Sequence, residues 1–559
     1  AEKTTPVQDC AGLNEWGQFH PEARGDELEN CTGRLTMIVD LLIKNGLVVD
    51  GSKKEGQRQA VAIKGDKIVL PATEEIEAIQ IVDAEGLVVA PGFIDIHSHT
   101  GLNSLIRSQG GSKLSQGITT EITGNCGAFP SPLIRENQEK EIFVEDMDWS
   151  LPGYRNYLAE FQSADISLNI GYYIGHGSIR ATAMGYDNRR PTSTELDRMK
   201  QYVAEGMKQG AFGLSTGLGY PPGMFATLDE LVELCRIAAQ YGGIYATHMR
   251  EESDGVLEAI DEAIEIARRA QIPLQVSHLK AVGRPNWGKV AIAIEKLEAA
   301  QKEGLDVNYD FYPYTASFTG LSSQLPNWVH AGGWEKAAQR LADPEQRARI
   351  IREMGRKIET AVGWESIVVS AIASRGNRAL EGKNLQEIGE IRGRHPAEAL
   401  VDLLLEEKGS AGMIKFSMAA GDMYTAAAGN LSMVGSDGNA LPLNDPENRK
   451  PHPRNFGAFP RAFRLCQREQ GLFSLETAVH KMTGAPAKKL RLDRRGLIKD
   501  GFYADLVLFD PDSIGDAATY ENPHQLATGI DSVFVNGKKA YEKGIFLNPK
   551  SGVLVKPQK

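Results

Sequence analysis

From residue 91 to residue 312, short apolar runs alternate with amphipathic helical segments, and this alternation constrains the fold more than any other feature. The helical segments carry apolar residues at i, i+3, i+4 and i+7, whereas the runs between them are continuously apolar, as buried parallel strands are. Repeated strand–helix units predict an α/β protein. Polar side chains directly after the strands favour a (β/α)8 TIM-like barrel, whose active site lies at the carboxyl ends of its strands. The strand-bearing segments are 93–96, 117–127, 167–177, 211–223, 243–252, 273–281, 306–315 and 431–439.

The segments outside this alternation divide the chain further. Residues 1–36 have no clear period and are predicted to be an irregular extension. Residues 37–90 and 494–559 carry short strands with turn signals, among them Gly65-Asp66 and Asn536-Gly537, and are predicted to form one small β domain from both chain ends. The barrel is assigned to residues 91–493, with an insertion over its mouth at about 316–365, where a charged helical run interrupts the alternation.

The size, charge and hydrophobicity of the chain exclude several classes of protein. A chain of 559 residues is too long for one simple domain. The net charge of −11, with no long basic stripe, argues against a nucleic-acid partner. No apolar run is long enough to span a bilayer, so no membrane partner is expected. The sequence leaves the oligomeric state open.

The five cysteines are too few for a disulfide scaffold, and Cys10 and Cys31, which flank a polar segment, are treated as free thiols. The first residues contain no apolar signal core, so the expected location is the cytoplasm. Because the sequence begins with Ala1 and not with Met, a removed N-terminal signal is left open.

Two histidines follow the first predicted barrel strand, in the segment PGFIDIHSHTG. Residues two apart on a strand point to the same face, so His97 and His99 can reach one point. Two imidazoles at a strand end, followed by a glycine, are more typical of a metal site than of a surface loop. From the residues alone, these histidines either form a second metal position or orient the ligands of a first one.

Three further strand ends carry metal-binding side chains. Cys126 lies in TGNCG, His248 in ATHMREE and His278 in QVSHLKA. Each one alone is equally compatible with a buried packing residue. Together they give three ligands and one open position, which is the composition of a catalytic zinc site. Thiolate combined with imidazole favours zinc over magnesium or calcium.

Asp437, in GSDG at the end of the last strand, is predicted to be the general base. An Asp before Gly is often only a turn former. Beside a metal at a barrel mouth, however, a carboxylate is well placed to take a proton from attacking water and to pass it to a leaving nitrogen. Lys280 and Arg454 are predicted to bind a substrate carboxylate, and Tyr220 and Tyr312 to supply hydroxyl contacts, although each of these four is as compatible with packing.

Taken in order, the segments PGFIDIHSHTG, TGNCG, GLSTGLGYPPG, THMREE, VSHLKA, GSDG and KPHPR resemble those of the amidohydrolase superfamily, and most closely its D-aminoacylase branch, the N-acyl-D-amino-acid deacylases. The likeness covers roughly residues 37 to 545. It implies a metal-dependent (β/α)8 barrel, a small β-sandwich domain built from both chain ends, and an insertion over the barrel mouth.

The resemblance also implies a ligand set and a reaction. One tightly held zinc ion is expected on Cys126, His248 and His278. A weaker second position is expected beside the two histidines of the first strand and the Asp437 carboxylate. The expected substrate is a small N-acyl-D-amino acid, hydrolysed to a carboxylate and a free D-amino acid. The stereochemistry follows from the resemblance alone.

Two alternatives are left open. A cyclic-amide hydrolase of the hydantoinase or dihydroorotase type would use a bridging lysine, but the fourth predicted strand reads Gly213-Leu214-Ser215-Thr216 and ends without one. A non-catalytic binding scaffold on a degenerate barrel is the other alternative, and the full set of ligand residues argues against it.

Overall fold

The computed structural model describes residues 38–72, 76–129, 154–445 and 449–558. The predicted extension at residues 1–36, with Cys10 and Cys31, lies outside these ranges. Within them, every helix is too short or too polar to cross a lipid bilayer.

The strands are numbered here in chain order. They are β1 (Val39–Lys44), β2 (Leu47–Val48), β3 (Gln57–Arg58), β4 (Ala60–Lys64), β5 (Lys67–Ala72), β6 (Ala78–Asp83), β7 (Val88–Pro91), β8 (Phe93–Asp95), β9 (Ile118–Thr123), β10 (Asn169–Tyr172), β11 (Ile174–Gly175), β12 (Gly213–Gly217), β13 (Ile244–His248), β14 (Leu274–Val276), β15 (Val307–Phe311), β16 (Ala316–Gly320), β17 (Ile367–Ala371), β18 (Gly412–Phe416), β19 (Ser432–Val434), β20 (Leu506–Phe509), β21 (Ile530–Val535), β22 (Lys538–Glu542) and β23 (Ile545–Phe546).

The helices separate most of these strands. The α-helices are Leu102–Ser108, Gly111–Leu114, Tyr154–Ser163, His176–Met184, Ser193–Gln209, Leu228–Gln240, Val256–Ala270, Lys289–Lys302, Trp334–Ala342, Pro344–Ala361, Leu385–Arg392, Pro396–Glu406, Ala420–Ala428, Arg454–Arg461, Leu475–Met482 and Gly484–Leu490, and a π-helical stretch covers Ala462–Glu469. The 3-10 helices are Gly223–Phe225, Arg284–Asn286, Leu321–Gln324, Asn327–His330, Trp364–Ser366 and Arg378–Leu380.

Local sequence signals set where the helices begin and end. The helix Ser193–Gln209 begins at a capping box, in which the Thr192 side chain accepts from the Glu195 backbone N–H and the Glu195 side chain accepts in return. It ends at Gly210, which takes a left-handed conformation. The helix Val256–Ala270 buries an apolar stripe, as its periodicity predicts. These stripes pack against the strands and form the largest apolar core.

A set of parallel strands forms the centre of the fold, and the predicted α/β architecture is confirmed. One parallel sheet has the order β10-β9-β8, and a second has the order β11-β12-β13-β14-β15-β19. The segments that follow β8 and β19 are also joined by hydrogen bonds. The Asp437 N–H donates to the His97 carbonyl over 2.8 Å, and the His99 N–H donates to the Gly438 carbonyl over 3.0 Å. The arrangement is of the TIM-barrel type, and it gathers the carboxyl ends of the strands at one face.

Two further sheets are built from the chain ends. A seven-stranded sheet has the order β23-β22-β21-β20-β7-β2-β3, in which β20 pairs antiparallel with β7, so both ends of the chain meet in it. A four-stranded sheet has the order β5-β4-β1-β6. The two sheets share one apolar cluster, to which Leu41 contributes from one sheet and Leu506 from the other. The turns predicted at Gly65-Asp66 and Asn536-Gly537 each join an antiparallel pair.

The insertion extends further than its predicted end near residue 365. β16, β18 and β17 form a separate antiparallel sheet, so the strand at Ile367–Ala371 and the strand at Gly412–Phe416 belong with residues 316–365 and not with the parallel strands. This unit has its own apolar cluster, which runs from Leu321 to Met413. Strand pairing between distant segments leaves no local signal in the sequence, which is why the predicted boundary came too early.

Candidate metal centre and active site

The predicted ligands converge at the carboxyl ends of the parallel strands. His248 is the last residue of β13, and the other ligands follow β8, β9, β14 and β19 within a few residues. Parallel strands that end at one face bring residues from distant parts of the sequence together. The side chains gathered in this way are those of His97, His99, Cys126, His248, His278 and Asp437.

The Cys126 thiol lies at the centre of the histidines. Its Sγ is 3.4 Å from His97 Nε2 and 3.5 Å from His278 Nε2. His278 Nε2 is in turn 2.9 Å from His248 Nδ1. Donors about 2.0–2.3 Å from a tetrahedral ion are roughly 3.3–3.8 Å apart, so the spacing around the sulfur suits a metal.

The Asp437 carboxylate adds an oxygen donor to the same cluster. Its Oδ1 lies 2.9 Å from His99 Nε2 and 3.3 Å from His97 Nε2. The donor atoms of His97, Cys126, His278 and Asp437 all lie within 4.8 Å of one another. The structure therefore brings all six predicted side chains together, and the division of metal ions among them stays a prediction.

Charges around the cluster keep its acidic members ionised. Burial alone would raise the pKa of the Cys126 thiol, but His97 and His278 hold that pKa well below its usual range. Burial would likewise raise the pKa of Asp437, and Arg454 in particular holds it well below the usual range. A thiolate and a carboxylate are both forms that bind metal.

Three of the predicted ligands have a left-handed backbone. The φ angles are 52° at Cys126, 36° at His278 and 51° at Asp437. Residues other than glycine rarely take such angles, and they persist only where the surroundings fix them. Gly217 is one such constraint, because a side chain there would collide with the Cys126 carbonyl oxygen. The cluster thus includes three residues with strained backbones.

Asp310, which the sequence analysis did not single out, holds two of the predicted ligands by hydrogen bonds. Its Oδ1 accepts from His97 Nδ1 over 2.8 Å and from the His278 backbone N–H over 2.8 Å. Its Oδ2 accepts from Gln275 Nε2 over 3.0 Å. A carboxylate on Nδ1 leaves Nε2 of His97 free to bind a metal. The available signal was an ionisable residue in the predicted buried strand β15, since a buried carboxylate needs a partner.

Glu252 was also missed, although it lies in the THMREE segment. Its Oε1 is 3.0 Å from His278 Nδ1 and accepts from Lys280 Nζ over 2.6 Å, and its Oε2 is 3.8 Å from His248 Nε2. With the two histidines it forms a second group whose donors lie within 4.8 Å of one another. Its position four residues after His248 was the available signal.

A buried ionic network lies beneath the ligands. Lys113 Nζ donates to Asp95 Oδ2 over 2.7 Å and to Ser436 Oγ over 2.8 Å. The Ser436 N–H donates to Asp95 Oδ1 over 2.9 Å. Glu121, whose side chain is also fully buried, lies 3.3 Å from Lys113 Nζ. This network ties the strand that carries the first two histidines to the loop that carries Asp437.

The predicted substrate-binding residues line a cavity of about 990 Å³ above the cluster, and these are Tyr220, Lys280, Tyr312 and Arg454. Within the described part of the chain, the buried Tyr312 hydroxyl has no hydrogen-bond partner. The Arg454 guanidinium lies 5.0 Å from the centre of the Tyr312 ring. The Tyr220 hydroxyl accepts from Thr319 Oγ1 over 3.0 Å. The wall thus offers cations and hydroxyls to a polar ligand.

Two other polar residues near the strand ends have structural partners instead. His176 Nε2 lies 3.0 Å from Glu230 Oε1 in a buried pair. Arg250 donates to Glu262 and to two backbone carbonyls. Neither residue belongs to the ligand cluster.

The family model described as "Amidohydrolase family" matches residues 80–541 of this chain. The chain belongs to the amidohydrolase family. This amidohydrolase is 35% identical over 516 residues to D-aminoacylase from Alcaligenes xylosoxydans xylosoxydans, covering 92% of this chain and 96% of the relative. It is 32% identical over 502 residues to N-acyl-D-glutamate deacylase from the same organism, covering 89% and 93%. The resemblance to the D-aminoacylase branch is therefore confirmed.

The fold of this amidohydrolase is similar to that of N-acyl-D-glutamate deacylase from Bordetella bronchiseptica, with a TM-score of 0.79 and 29% sequence identity. The likeness covers 93% of this chain and 100% of that one. That deacylase is complexed with zinc and with a phosphonate inhibitor that mimics the tetrahedral intermediate of its reaction. Metal binding is thus a property of a structural neighbour.

Proposed function

We propose that this protein is a metal-dependent hydrolase of N-acyl-D-amino acids, which releases a carboxylate and a free D-amino acid. The observation that carries the proposal is the convergence of a thiolate, four imidazoles and the Asp437 carboxylate beneath a cavity that contains Arg454 and Lys280. The names of the relatives, D-aminoacylase and N-acyl-D-glutamate deacylase, support the substrate class and its handedness.

The residues fit zinc as the metal. Cys126, His248 and His278 would hold one ion tightly, and a weaker second position would lie beside Asp437 and the two histidines that follow β8. The soft thiolate and the 3.5 Å between Cys126 Sγ and His278 Nε2 support zinc. When bound, the ion supplies polarisation of the amide carbonyl and activation of water.

Asp437 would move the proton. One carboxylate oxygen faces His99 and the other faces Arg454, so the side chain is fixed from both sides. It would accept a proton from the attacking water and deliver it to the amide nitrogen as the C–N bond breaks.

The α-carboxylate of the substrate would lie against Arg454 and Lys280, with the Tyr312 hydroxyl as a neutral donor. A guanidinium can pair with a carboxylate through two hydrogen bonds, and the unpartnered Tyr312 hydroxyl supports a ligand at this position. Tyr220, whose ring centre lies 4.7 Å from that of His248, would contact the acyl group beside the metal.

The proposed site requires a particular arrangement of the barrel, the β domain and the insertion. We infer that the parallel strands close into a (β/α)8 barrel within residues 91–493, supported by the hydrogen bonds between the segments of His97 and Asp437. The shared apolar cluster supports one β-sandwich from residues 38–90 and 494–558. The antiparallel unit at 316–416 would cover the barrel mouth, because its residues line the cavity together with Cys126.

The decisive experiment is chiral analysis of the products that zinc-loaded protein releases from racemic N-acetyl amino acids. Release of the D-enantiomer alone is expected, with turnover lost in Asp437→Asn while the bound zinc, measured by mass spectrometry, is retained. Release of the L-enantiomer would refute the stereochemical part. Opening of hydantoins without deacylation would favour the cyclic-amide alternative, and zinc binding without any turnover would favour a scaffold.

A further inference from the structure

One wall of the cavity is the antiparallel sheet of β16, β18 and β17. Ser317 lies opposite Lys415 in this sheet, and Thr319 lies opposite Met413. Residues that oppose each other in an antiparallel pair, and residues two apart on one strand, share a face. All four of these residues line the cavity that also reaches Cys126 and Asp437.

The register places Lys415 one cross-strand pair away from a residue that contacts the side chains around the cluster. Thr319 Oγ1 donates to the Tyr220 hydroxyl over 3.0 Å, and the Tyr220 ring packs against His248. The pair of Ser317 and Lys415 is the next pair on the same face, about 7 Å further along the strands. A ligand that extends from the cluster along this face of the sheet would meet Lys415.

Lys415 is a cation without a close ion-pair partner among the described residues, although the charge of Glu251 acts on it from further away. Its Nζ donates to the Gln324 amide oxygen over 3.1 Å, and no carboxylate of the described residues lies within 4.0 Å of it. Burial and the neighbouring Lys357 lower its pKa to about 8, so the ammonium form predominates at neutral pH. A partly buried ammonium gains more from an anionic partner than an exposed one does.

The charges around Lys415 are also unbalanced. Arg356 and Lys357 line the same cavity and form no ion pair with any residue in the described ranges. Of the two nearby acids, Glu353 is ion-paired with Arg349, whereas Glu251 has no ion pair among the described residues and partly offsets the three cations. Glu251 accepts from the Ser253 backbone N–H over 2.9 Å, and Glu353 accepts from Arg349 Nε over 2.7 Å. This end of the cavity is therefore suited to an anion.

We propose that Lys415 binds a second carboxylate of the substrate, separate from the α-carboxylate, and so selects N-acyl-D-amino acids that carry two carboxylates. The inference rests on the proposed function and adds its substrate class. Two sources offer the same chemistry, an acidic amino-acid side chain or a dicarboxylic acyl group. The cavity of about 990 Å³ is near the upper end of ordinary ligand pockets and has room for either.

Matched substrate pairs test the proposal and separate the two sources. N-acetyl-D-glutamate is compared with N-acetyl-D-glutamine, and N-succinyl-D-leucine with N-butanoyl-D-leucine, by kcat and KM on the zinc-loaded protein. We expect the charged member of at least one pair to have a kcat/KM about tenfold or more above its neutral partner, as a charge-assisted hydrogen bond provides. The pair with the preference identifies which part of the substrate carries the carboxylate.

The variants Lys415→Met and Lys415→Arg decide whether that preference depends on this side chain. Lys415→Met should remove the preference through KM and leave the neutral substrates within about twofold, while Lys415→Arg should retain most of it. Lys336→Met, an exposed lysine of the same unit, is the matched control. Turnover of the neutral substrates reports that each variant is folded.

Two results would overturn the inference. One is a wild type without preference for either charged substrate, and the other is a preference that survives in Lys415→Met. Either result would still be compatible with hydrolysis of N-acyl-D-amino acids, the proposed function. Absence of turnover with every N-acyl-D-amino acid would instead refute the proposed function itself, so the two failures are distinguishable.

Discussion

Arg454 and Asp437 form one buried ion pair, in which Nη1 lies 2.6 Å from Oδ2. Two roles that the sequence analysis gave to separate residues, substrate binding and proton transfer, therefore meet in one contact. The other oxygen of Asp437 faces His99, so each oxygen has a distinct partner. A substrate carboxylate that pairs with Arg454 would draw the guanidinium away from Asp437. The proton affinity of Asp437 would then rise when the substrate binds, just before Asp437 has to accept a proton from water.

Removing the guanidinium should therefore affect both substrate binding and turnover. We expect Arg454→Met to lower kcat/KM for an N-acyl-D-amino acid by about 100-fold, because a charge-assisted hydrogen bond is worth about 1.5–3 kcal/mol. Both KM and kcat should change, while bound zinc is retained. Arg236→Met, at an exposed arginine, serves as the control. A change confined to KM would mean that Arg454 acts on the substrate alone.

Asp310 should control metal affinity without being a ligand. Asp310→Asn keeps the shape of the side chain but weakens its bond to His97 Nδ1, and loss of such an orienting carboxylate costs about 10- to 100-fold in metal affinity. Chelator competition would measure this loss directly, independently of turnover. Asp261→Asn, an exposed carboxylate paired with Lys296, should leave metal affinity unchanged. Equal affinities in the two variants would exclude the orienting role.

Metal removal should expose a reactive thiol. The neighbouring histidines keep Cys126 in the thiolate form, whereas burial raises the pKa of Cys466 to about 12 and also raises that of Cys235. Chelator-treated protein should therefore be alkylated by iodoacetamide at Cys126 at pH 7, with Cys235 and Cys466 slow. Added zinc should protect Cys126. Peptide mapping measures this, and undiminished alkylation in zinc would argue against the thiol as a ligand.

The unit at 316–416 should be destabilised by mild acid through His330. Burial lowers the pKa of this histidine to about 4, below the value of about 6.5 expected in the unfolded chain. Between these values the unfolded chain binds a proton that the folded chain does not. The free energy of unfolding is therefore not reduced by His330 above about pH 6.5, and it falls as the pH drops towards 4. The expected decrease is about 1 kcal/mol between pH 7.5 and pH 5.5.

Urea unfolding at these two pH values tests this contribution. The pH dependence of the free energy of unfolding should shrink by about 1 kcal/mol in His330→Gln. His395→Asn, at an exposed histidine of the same unit, should keep the wild-type dependence, since asparagine also caps a helix well. The same dependence in both variants would contradict the assignment to His330.

The strand-end positions of the cluster could be predicted from the sequence because parallel strands place their carboxyl ends together. Period and position alone put His97, Cys126 and Asp437 at one face. The supporting carboxylates could not be found in the same way. Asp310 lies inside a buried strand, and its partners, His97 and Gln275, are contributed by other strands and their ends, so only the assembled fold shows what it binds.

The insertion was the least predictable part of the fold for a related physical reason. The beginning of the insertion interrupts the alternation of strands and helices, and this interruption is visible in the sequence. Its end depends on the pairing of β17 and β18 with β16, and their periodicity resembles that of other short buried strands. The face that carries Lys415 could only be assigned once this register was known.

The Ser436 N–H and Asp95 Oδ1 that join the two ends of the parallel strand order are 341 positions apart in the chain. During synthesis, the histidines that follow β8 emerge long before Asp437 does, and contacts this distant in sequence form only after most of the chain is available. The complete donor set therefore cannot exist on a nascent chain that ends before residue 437. Only a chain synthesised past residue 437 can therefore offer every donor to a metal. A truncated product lacks one oxygen donor, however well its earlier strands fold.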